Sequence, residues 1–411
     1  MYPKPPEHEN GPPPNPYRWV MLGLLWLLYC VFGMVVRSAS PLVTPMLRDL
    51  QMTYGQMGIV LGSWQLTYIG VAIWAGVLLD RWGIRRSLFF GTVVIGISAL
   101  LRFFPTGFGS LLAAVALFGV GGPMISIGAP KTIALWFQGR SRGTAVGIYT
   151  TGPWVGGVIA LAATHPLVMP LTGHSWRLTF VCYGLLTLGV ALLWWFLARE
   201  ARPEARPKSD EPLRRVFANL IRVGNVRLIL LAGLATFAVV HGFTSWLPRI
   251  LETKAMSPSL AGLNASVPFV ASIPAVLLIP RITPAGRRRP VVALLSLCAA
   301  AAMVLVVATP VPAVIGLLLF GASGMSLLPV LMLVLMDTPE VGARHMGTAG
   351  GIFFCVAEMG GFLGPLVVGA LVDCTGSFLA GSLCLSSLAL GVAVLILCVR
   401  EPAAAAAKPL G

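Results

Sequence analysis

Long apolar stretches alternate with short polar segments along almost the whole chain. Roughly twelve such stretches of about 20 residues follow one another, and a helix of about 20 residues crosses a hydrocarbon core about 30 Å thick. Because backbone groups have no water to bond in lipid, each stretch is predicted to be α-helical. The predicted spans are 19–39, 55–79, 87–104, 110–137, 143–164, 176–198, 226–250, 258–280, 291–308, 311–336, 347–372 and 378–399.

The composition is that of an all-α membrane protein. Hydrophobic residues make up 57% of the chain and charged residues 10%, and the mean hydropathy is +0.86; a water-soluble domain does not have such values. The seven cysteines form no Cys-x-x-Cys pair and have no nearby histidine ligands, so we expect no metal site and no cofactor. A phosphate-binding glycine loop is also missing, and the protein is predicted not to be an enzyme.

One long, charged and proline-containing segment, residues 200–225, divides the predicted spans into six and six. The sequence therefore predicts an N-terminal half at 18–199 and a C-terminal half at 226–399. The proline-rich segment 1–17 lacks a basic region followed by a short apolar core, so it is interpreted as a disordered cytoplasmic tail and not as a signal peptide. Residues 400–411 are predicted to form a second cytoplasmic tail.

The basic residues predict the orientation of the bundle. With the N-terminus inside, most lysines and arginines fall in the inner segments, and the outer segments keep Arg48, Arg102, Arg177, Arg249 and Lys254. Basic loops stay cytoplasmic, so both termini are predicted to be cytoplasmic and the chain to lie in a bacterial-type inner membrane. The net charge of +15 then faces anionic lipid, and we expect no nucleic-acid partner.

The polar segment between the second and third spans carries glycines and opposite charges at fixed spacing: Gly76, Asp80, Arg81, Gly83, Arg85 and Arg86. It is similar to the Gly-x-x-x-Asp-Arg-x-Gly-x-Arg-Arg signature of the major facilitator superfamily, which the chain resembles over nearly all residues after Arg18. The resemblance implies twelve helices in two pseudo-symmetric six-helix halves and a transporter that works as a monomer. It also implies that these residues form a gate latch, in which Asp80 pairs with basic neighbours when the cytoplasmic side is closed.

A weak internal repeat relates the fifth span to the eleventh. Both carry a Gly-Pro pair followed by further glycines, and small residues let helices approach closely. The predicted packing residues are Gly152, Pro153, Gly156, Gly157, Gly364 and Pro365. The first cluster also resembles the antiporter motif of drug exporters in the superfamily, although the arginine that those exporters carry in the fourth span is absent.

A finer resemblance relates the chain to the branch that contains cyanate permeases and nitroimidazole transporters. Its matches are short: the segment 245–252, Pro130 with Lys131, the segment 147–149, Trp176 with Arg177, and Arg37 with Pro41. The substrates of that branch are not carried over to this chain.

Four ionisable residues stand out among those inside predicted spans, where a charge costs about 2.5–3.5 kcal/mol and persists with a partner or in a water-filled cavity. Arg37 is predicted either to bind an anion or to anchor its span at the outer interface, and Lys131 either to face a cavity or to snorkel to the cytoplasm. His241 is interpreted as a proton shuttle or a packing residue. Glu358, near mid-membrane, is interpreted as a proton carrier or a member of a buried ion pair.

The leading hypothesis is a secondary transporter that moves a small anionic organic solute with protons by alternating access. Glu358 or His241 is the predicted proton carrier, and the predicted substrate-binding residues are Arg37, Lys131, Tyr29, Gly33, Phe237 and His241. The alternative is proton-driven export of a hydrophobic or cationic compound, suggested by the glycine cluster and by Trp64, Tyr68, Trp154 and Trp246. The expected partners are the substrate, protons and the lipid bilayer.

Overall fold

The computed structural model of the protein describes residues 16–200, 213–308 and 313–399, and the regular elements in these ranges are helices. Most of the predicted tail 1–17, residues 201–212 of the predicted connector and the whole predicted tail 400–411 lie outside the described residues. The second half of the connector contains a short helix, Leu213–Arg222.

Twelve helices in the described ranges are long and apolar enough to cross a membrane, which confirms the predicted all-α fold. Their ends agree with the predicted ends to within three residues, except at the C-terminal ends of the first and fifth spans. They are α1 (Arg18–Asp49), α2 (Tyr54–Trp82), α3 (Ile84–Leu101), α4 (Phe108–Trp136), α5 (Ser141–Leu171), α6 (Trp176–Leu197), α7 (Gly224–Glu252), α8 (Pro258–Ile282), α9 (Arg288–Ala308), α10 (Ala313–Asp337), α11 (His345–Thr375) and α12 (Phe378–Cys398).

The first and fifth spans are longer than predicted because each continues through a change of helix type. α1 is an α-helix from Arg18 to Arg37, a 3-10 turn over Ser40–Leu42 and a second α-helix over Val43–Asp49. Pro41 has no backbone N–H, so the regular hydrogen-bond ladder stops just beyond Arg37. α5 passes from an α-helix into a π-helical turn over Thr164–Val168.

Helix packing repeats between the first six helices and the last six. α1 packs against α5 as α7 packs against α11, and α3 packs against α6 as α9 packs against α12. Between the two groups, α2 packs against α11, and α5 packs against α8. Because α8 is the counterpart of α2 and α5 is the counterpart of α11, these two contacts are equivalent. The bundle therefore consists of two pseudo-symmetric six-helix halves.

The tightest contacts within each half involve glycines. A Cβ on Gly33 of α1 would collide with the backbone of Pro153 in α5, and one on Gly156 with the carbonyl oxygen of Cys30. A Cβ on Gly152 would lie 2.8 Å from the Cβ of Tyr29. In the other half, a Cβ on Gly364 of α11 would collide with the backbone of Ala238 in α7.

We define the outer end of the bundle by the turns at 50–53, 172–175 and 253–257, and the inner end by the turns at 83 and 137–138 and the segment 283–287. At the outer end the halves are joined by hydrogen bonds. The backbone N–H groups of Tyr54 and Gly55, which begin α2, donate to the carboxylate of Asp373 at 2.9 and 2.7 Å. Arg249 of α7 donates to the hydroxyl of Tyr54 at 3.0 Å, and Thr44 donates to Glu252.

The α2–α11 seam is open at the inner end. Residues 18 apart in an α-helix lie five turns apart on the same face. A Cβ on Gly58 of α2 would collide with Pro365 of α11, whereas one on Gly76, on the same face, would meet nothing within 4 Å in the described part of the chain. Gly369 of α11 contacts the backbone of Tyr54. Gly351 lies on the same face of α11, and a Cβ there, like one on Gly76, would meet nothing within 4 Å among the described residues. The halves therefore diverge towards the inner end.

Candidate functional site

A cavity of about 310 Å³ lies between the two halves, a size typical of sites for small organic ligands. It is lined by residues from α1, α2, α4 and α5 of one half and from α7, α8, α10 and α11 of the other. The lining residues are Tyr29, Phe32, Gly33, Val36, Arg37, Trp64, Tyr68, Ser126, Pro153, Trp154, Thr236, Phe237, Val240, His241, Phe269, Gly324, Met325, Leu328, Phe354 and Glu358.

Arg37 is the cationic residue of this lining. Its side chain leaves the last turn of the first α-helix of α1, where the helix breaks, and the residue is 8% exposed. Nη1 donates to Oγ1 of Thr244 in α7 at 2.9 Å, and the guanidinium lies 5.1 Å from the centre of the Phe269 ring in α8. No ion pair within 4.0 Å involves Arg37 among the described residues. A buried guanidinium without a protein carboxylate is suited to bind an anion.

His241 lies one turn deeper on α7 than Thr244. Its Nδ1 is 3.1 Å from Nε2 of Gln65 in α2, so the two residues bridge the halves as Arg37 and Thr244 do. In this arrangement His241 is a hydrogen-bonded part of the cavity wall.

Glu358 of α11 also lines the cavity and is 7% exposed. Its Oε2 is buried and has no hydrogen-bond partner among the described residues. Gly360 packs against the backbone of Leu234, which places Glu358 near the level of Ala232 on the parallel helix α7. That level is twelve residues, or about 18 Å along the helix axis, from Thr244. The acid and the guanidinium therefore lie at different depths and do not neutralise each other.

Aromatic rings form much of the wall contributed by the N-terminal half. Tyr29 and Phe32 of α1 are stacked, with ring centres 5.8 Å apart and an interplanar angle of 29°. Trp64 and Tyr68 of α2 meet edge to face at 6.3 Å. The hydroxyl of Tyr68 is 2.6 Å from the hydroxyl of Ser126 in α4, so these two polar groups satisfy each other.

The wall contributed by the C-terminal half is also aromatic. The ring of Phe237 lies 5.4 Å from that of His241 and 6.3 Å from that of Phe354. Beside them, the buried Oγ1 of Thr236 has no hydrogen-bond partner among the described residues. Trp246, one of the aromatic residues singled out in the sequence, lies outside this wall: it is fully buried, and its Nε1 donates to the carbonyl oxygen of Pro365 at 2.9 Å.

Of the two predicted placements of Lys131, the structure departs from the one that faces the cavity. It does not line this cavity, and its Nζ lies 2.6 Å from Oδ1 of Asp80, near the inner end of the N-terminal half. The long side chain reaches the carboxylate because α2 and α4 pack together, a contact that the sequence pattern does not contain. Lys131 therefore lies with the predicted gate segment and not with the predicted substrate-binding residues.

The predicted gate segment is fixed within the N-terminal half. Arg85 donates to the carbonyl oxygen of Trp195 in α6 at 2.5 Å and lies over its ring at 5.1 Å, so it is not paired with Asp80. Gly83 has φ +81°, which a side chain would strain, and it separates α2 from α3. The side chains of Arg81 and Arg86 are exposed. In this conformation the partner of Asp80 is a lysine of a neighbouring helix, and not the adjacent arginines.

The structure thus brings Arg37, Tyr29, Gly33, Phe237, His241 and Glu358 together around one cavity and places Lys131 outside it. Sequence reasoning missed Phe32, Thr236, Phe269 and Phe354, because none of them carries a charge or belongs to a motif. Phe32 and Val36 stand three and seven residues after Tyr29, so the helical stripe through Tyr29 is a signal that identifies both.

Comparison with known proteins gives consistent results. The family model of the Major Facilitator Superfamily matches residues 25–365. The chain is 24% identical over 403 residues to the hexuronate transporter of Bacillus subtilis (strain 168), covering 92% of this chain and 94% of that protein. It is 28% identical over 397 residues to the 3-(3-hydroxy-phenyl)propionate transporter of Escherichia coli (strain K12), with the same coverage.

A solved structure shares the fold. It is a bacterial homologue of the human lysosomal transporter Spinster in an inward-facing and occupied conformation, with a TM-score of 0.72 and 17% sequence identity, covering 93% of this chain and 95% of that one. The family match spans most of the chain, and the twelve helices make it a multi-pass membrane protein. This chain therefore belongs to the Major Facilitator Superfamily of membrane transporters.

Proposed function

We propose that the protein is a proton-coupled secondary transporter for a small organic anion. The observation that carries the proposal is the buried guanidinium of Arg37 in the central cavity, which has no carboxylate partner among the described residues. A guanidinium binds a carboxylate through two parallel hydrogen bonds. Two relatives, the hexuronate transporter and the 3-(3-hydroxy-phenyl)propionate transporter, are named for substrates that are organic anions.

The transport cycle we propose is alternating access around this cavity. The hydrogen bonds of Arg37 with Thr244 and of Gln65 with His241 join the halves on the outer side, and the α2–α11 seam is open at the inner end. An anion that binds Arg37 competes for the same donors, which links substrate binding to the contacts between the halves. In the orientation predicted from the basic residues, with both termini cytoplasmic in an inner membrane, this is an inward-facing state of a monomer.

Glu358 is the proton carrier in this proposal. An ionised carboxylate buried without a cation is costly, whereas the protonated form is tolerated at the same depth. Glu358 lines the cavity, and its buried Oε2 has no partner among the described residues, so a proton taken up at that atom displaces no hydrogen bond. His241 is already engaged with Gln65, which favours a role in substrate contact over proton transfer.

A second candidate function is proton-driven export of a lipophilic cation. The observation that favours it is again Glu358, because an acid among aromatic side chains is a common site for an organic cation. Arg37 in the same cavity opposes it, since a cationic substrate would meet a like charge.

A thermal-shift measurement on the purified protein separates the two candidates. Small organic carboxylates and tetraphenylphosphonium are tested at two pH values, because a ligand that binds the folded state raises its melting temperature. We expect carboxylates to stabilise the protein, with a larger shift at the lower pH. We expect Arg37→Gln to weaken the apparent affinity by about 30-fold or more, and Arg37→Lys to weaken it less, because a lysine keeps the charge without the paired donors.

Arg48→Gln is the matched control, because Arg48 is an exposed arginine at the outer end. If Arg37→Gln and Arg48→Gln bind the carboxylates equally well, the anion site is not at Arg37. Stabilisation by tetraphenylphosphonium without stabilisation by any carboxylate would support the exporter instead.

A further inference from the structure

The two walls of the cavity present aromatic surfaces from opposite halves. Tyr29, Phe32 and Tyr68 lie on the N-terminal side, and Phe237 and Phe354 on the C-terminal side. Within each wall the rings pack on one another: Tyr29 and Phe32 are stacked, and Phe237 meets Phe354 nearly edge to face at 77°. A flat ring between these walls contacts both halves, and aromatic pairs prefer such offset or edge-to-face geometry.

The surface of the cavity is mostly apolar, and the polar atoms on the rings of its lining belong to Tyr29, Tyr68, Trp64, Trp154 and His241. Ser126 and Tyr68 are hydrogen-bonded to each other, and the amide of Gln65 is bonded to His241. The buried side-chain oxygens of the lining that lack a partner, among the described residues, are Thr236 Oγ1 and Glu358 Oε2. A sugar acid buries several hydroxyls, and each one that finds no partner weakens binding.

The charges of the lining also restrict which class of substrate the cavity binds. Arg37 is the cation of the lining, and Phe269 stacks below its guanidinium on the α8 side. Glu358, the acid of the lining, lies near a level three turns deeper on α11. One carboxylate pairs with Arg37, whereas a second carboxylate on the same molecule finds no second cation in the lining.

We propose that the cavity selects a monocarboxylate with an aromatic body, whose carboxylate binds Arg37 and whose ring lies between the Tyr29–Phe32 pair and Phe237. The proposal rests on the proposed function as an anion transporter and narrows its substrate class. The ring completes the contact between the two halves, so this class of substrate is held from both sides at once. Sugar acids and dicarboxylates bind more weakly, because the cavity surface is mostly apolar and its lining has one cation.

The experiment compares four probes for binding to the full chain in detergent, by thermal shift and calorimetry at one pH. They are 3-phenylpropionate, 3-cyclohexylpropionate, D-galacturonate and tetraphenylphosphonium. We expect 3-phenylpropionate to bind about tenfold more tightly than D-galacturonate, and about threefold more tightly than the cyclohexyl compound, which is apolar but has no aromatic ring.

Two variants test the position of the ring. Phe237→Leu keeps an apolar side chain without a ring, and we expect it to weaken binding of 3-phenylpropionate about fivefold and to weaken binding of D-galacturonate less. Phe104→Leu is the matched control, because Phe104 is 69% exposed and lies outside the cavity. Its affinities for all four probes should equal those of the unchanged protein.

The outcomes distinguish this proposal from the proposed function. D-Galacturonate binding as tightly as 3-phenylpropionate overturns the aromatic class and leaves anion transport standing. Equal affinity for the phenyl and cyclohexyl compounds, or equal effects of Phe237→Leu and Phe104→Leu, also overturns recognition of the ring. Binding of tetraphenylphosphonium without any carboxylate contradicts the proposed function itself.

Discussion

Glu358 lets proton coupling be separated from substrate binding at a single side chain. Its buried Oε2 has no partner among the described residues, so the amide of Glu358→Gln replaces the carboxyl group without breaking a hydrogen bond to that atom. We expect this variant to exchange labelled substrate for unlabelled substrate across liposomes at the original rate. Accumulation driven by a pH gradient should fall at least tenfold, because the amide does not take up and release a proton.

The control for this experiment is Glu340→Gln, which changes an exposed acid at the inner end of the bundle. That variant should keep both exchange and gradient-driven accumulation. Accumulation that persists in Glu358→Gln would show that another group carries the proton, and His241 would be the next to test.

Arg102 is hydrogen-bonded to the end of the first α-helix of α1, beside Arg37, although the sequence analysis placed it in an outer segment. It is 2% exposed and donates from Nη1 to the carbonyl oxygen of Val35 and to Oγ of Ser38, both at 3.2 Å. These acceptors flank Arg37, so Arg102 fixes the end of the helix that presents the guanidinium. We expect Arg102→Gln to destabilise the protein by about 2 kcal/mol and to weaken carboxylate binding, as seen by thermal melting with and without ligand. Unchanged affinity in a destabilised variant would limit Arg102 to a structural role.

Single residues show where sequence reasoning ends. Arg37 and Glu358 were identified as site candidates because an ionisable residue inside an apolar span is unusual on composition alone. The partner of Lys131 was not predictable, because Asp80 is 51 residues away and belongs to a different span. The burial of Arg102 was not predictable either, since it depends on the carbonyl oxygen that the break in α1 leaves available.

At the level of helix pairs, the close approach of α1 and α5 is testable by adding one methyl group. A Cβ on Gly156 would overlap the backbone of Cys30, and backbone atoms yield less than the end of a side chain. We expect Gly156→Ala to lower the free energy of unfolding by about 1–3 kcal/mol, as overpacked cores do. Circular dichroism of the purified variants on heating measures the change.

Gly147 provides the matched control in the same helix. A Cβ there would meet nothing within 4 Å among the described residues, so Gly147→Ala adds a methyl group without a collision. The alanine should leave the stability unchanged or raise it by about 0.5–1 kcal/mol, because glycine inside a helix is unfavourable. Equal losses of stability in both variants would mean that the α1–α5 contact at Gly156 is not the cause of the loss.

The twelve spans were predictable because hydropathy is a local property of about 20 residues. Where the spans end was less predictable for α1 and α5. After Arg37 the chain continues as a 3-10 turn and a further α-helix to Asp49, and in α5 a π-helical turn carries the helix beyond Ala163. In both helices the chain stays helical but departs from the regular α-helical hydrogen-bond pattern. Packing against other helices determines where this happens.

For the whole bundle, the repeat between the halves was visible in the sequence, whereas the conformation was not. The Gly-Pro clusters of α5 and α11 indicated the relation, and the matched helix pairs confirm the two pseudo-symmetric halves. Which end of the seam is closed depends on a few contacts between residues far apart in the chain, such as Asp373 and Tyr54. These contacts exist in one state of a two-state molecule, so no single-sequence pattern encodes them.

The closed outer end of the seam depends on one carboxylate at the start of a helix. Asp373 of α11 accepts from the backbone N–H groups of Tyr54 and Gly55, where the positive end of the helix dipole of α2 lies. The bond joins the halves in the state with the inner end open and is lost when the outer end opens. Asp373→Asn should therefore shift the equilibrium towards the outward-open state by about two- to fivefold.

Distances between spin labels at positions 76 and 351 report this equilibrium, because both positions lie on the part of the α2–α11 seam that is open at the inner end. The labels require a background in which the seven native cysteines are replaced. Asp373→Asn should enrich the short distances of an inner end that has closed. Asp49→Asn is the control, since Asp49 also lies at the outer end but binds Trp176 and Arg177 within its own half. A similar shift in both variants would assign the effect to the loss of a surface charge; a shift in Asp373→Asn alone would establish the carboxylate as an outer latch of the transport cycle.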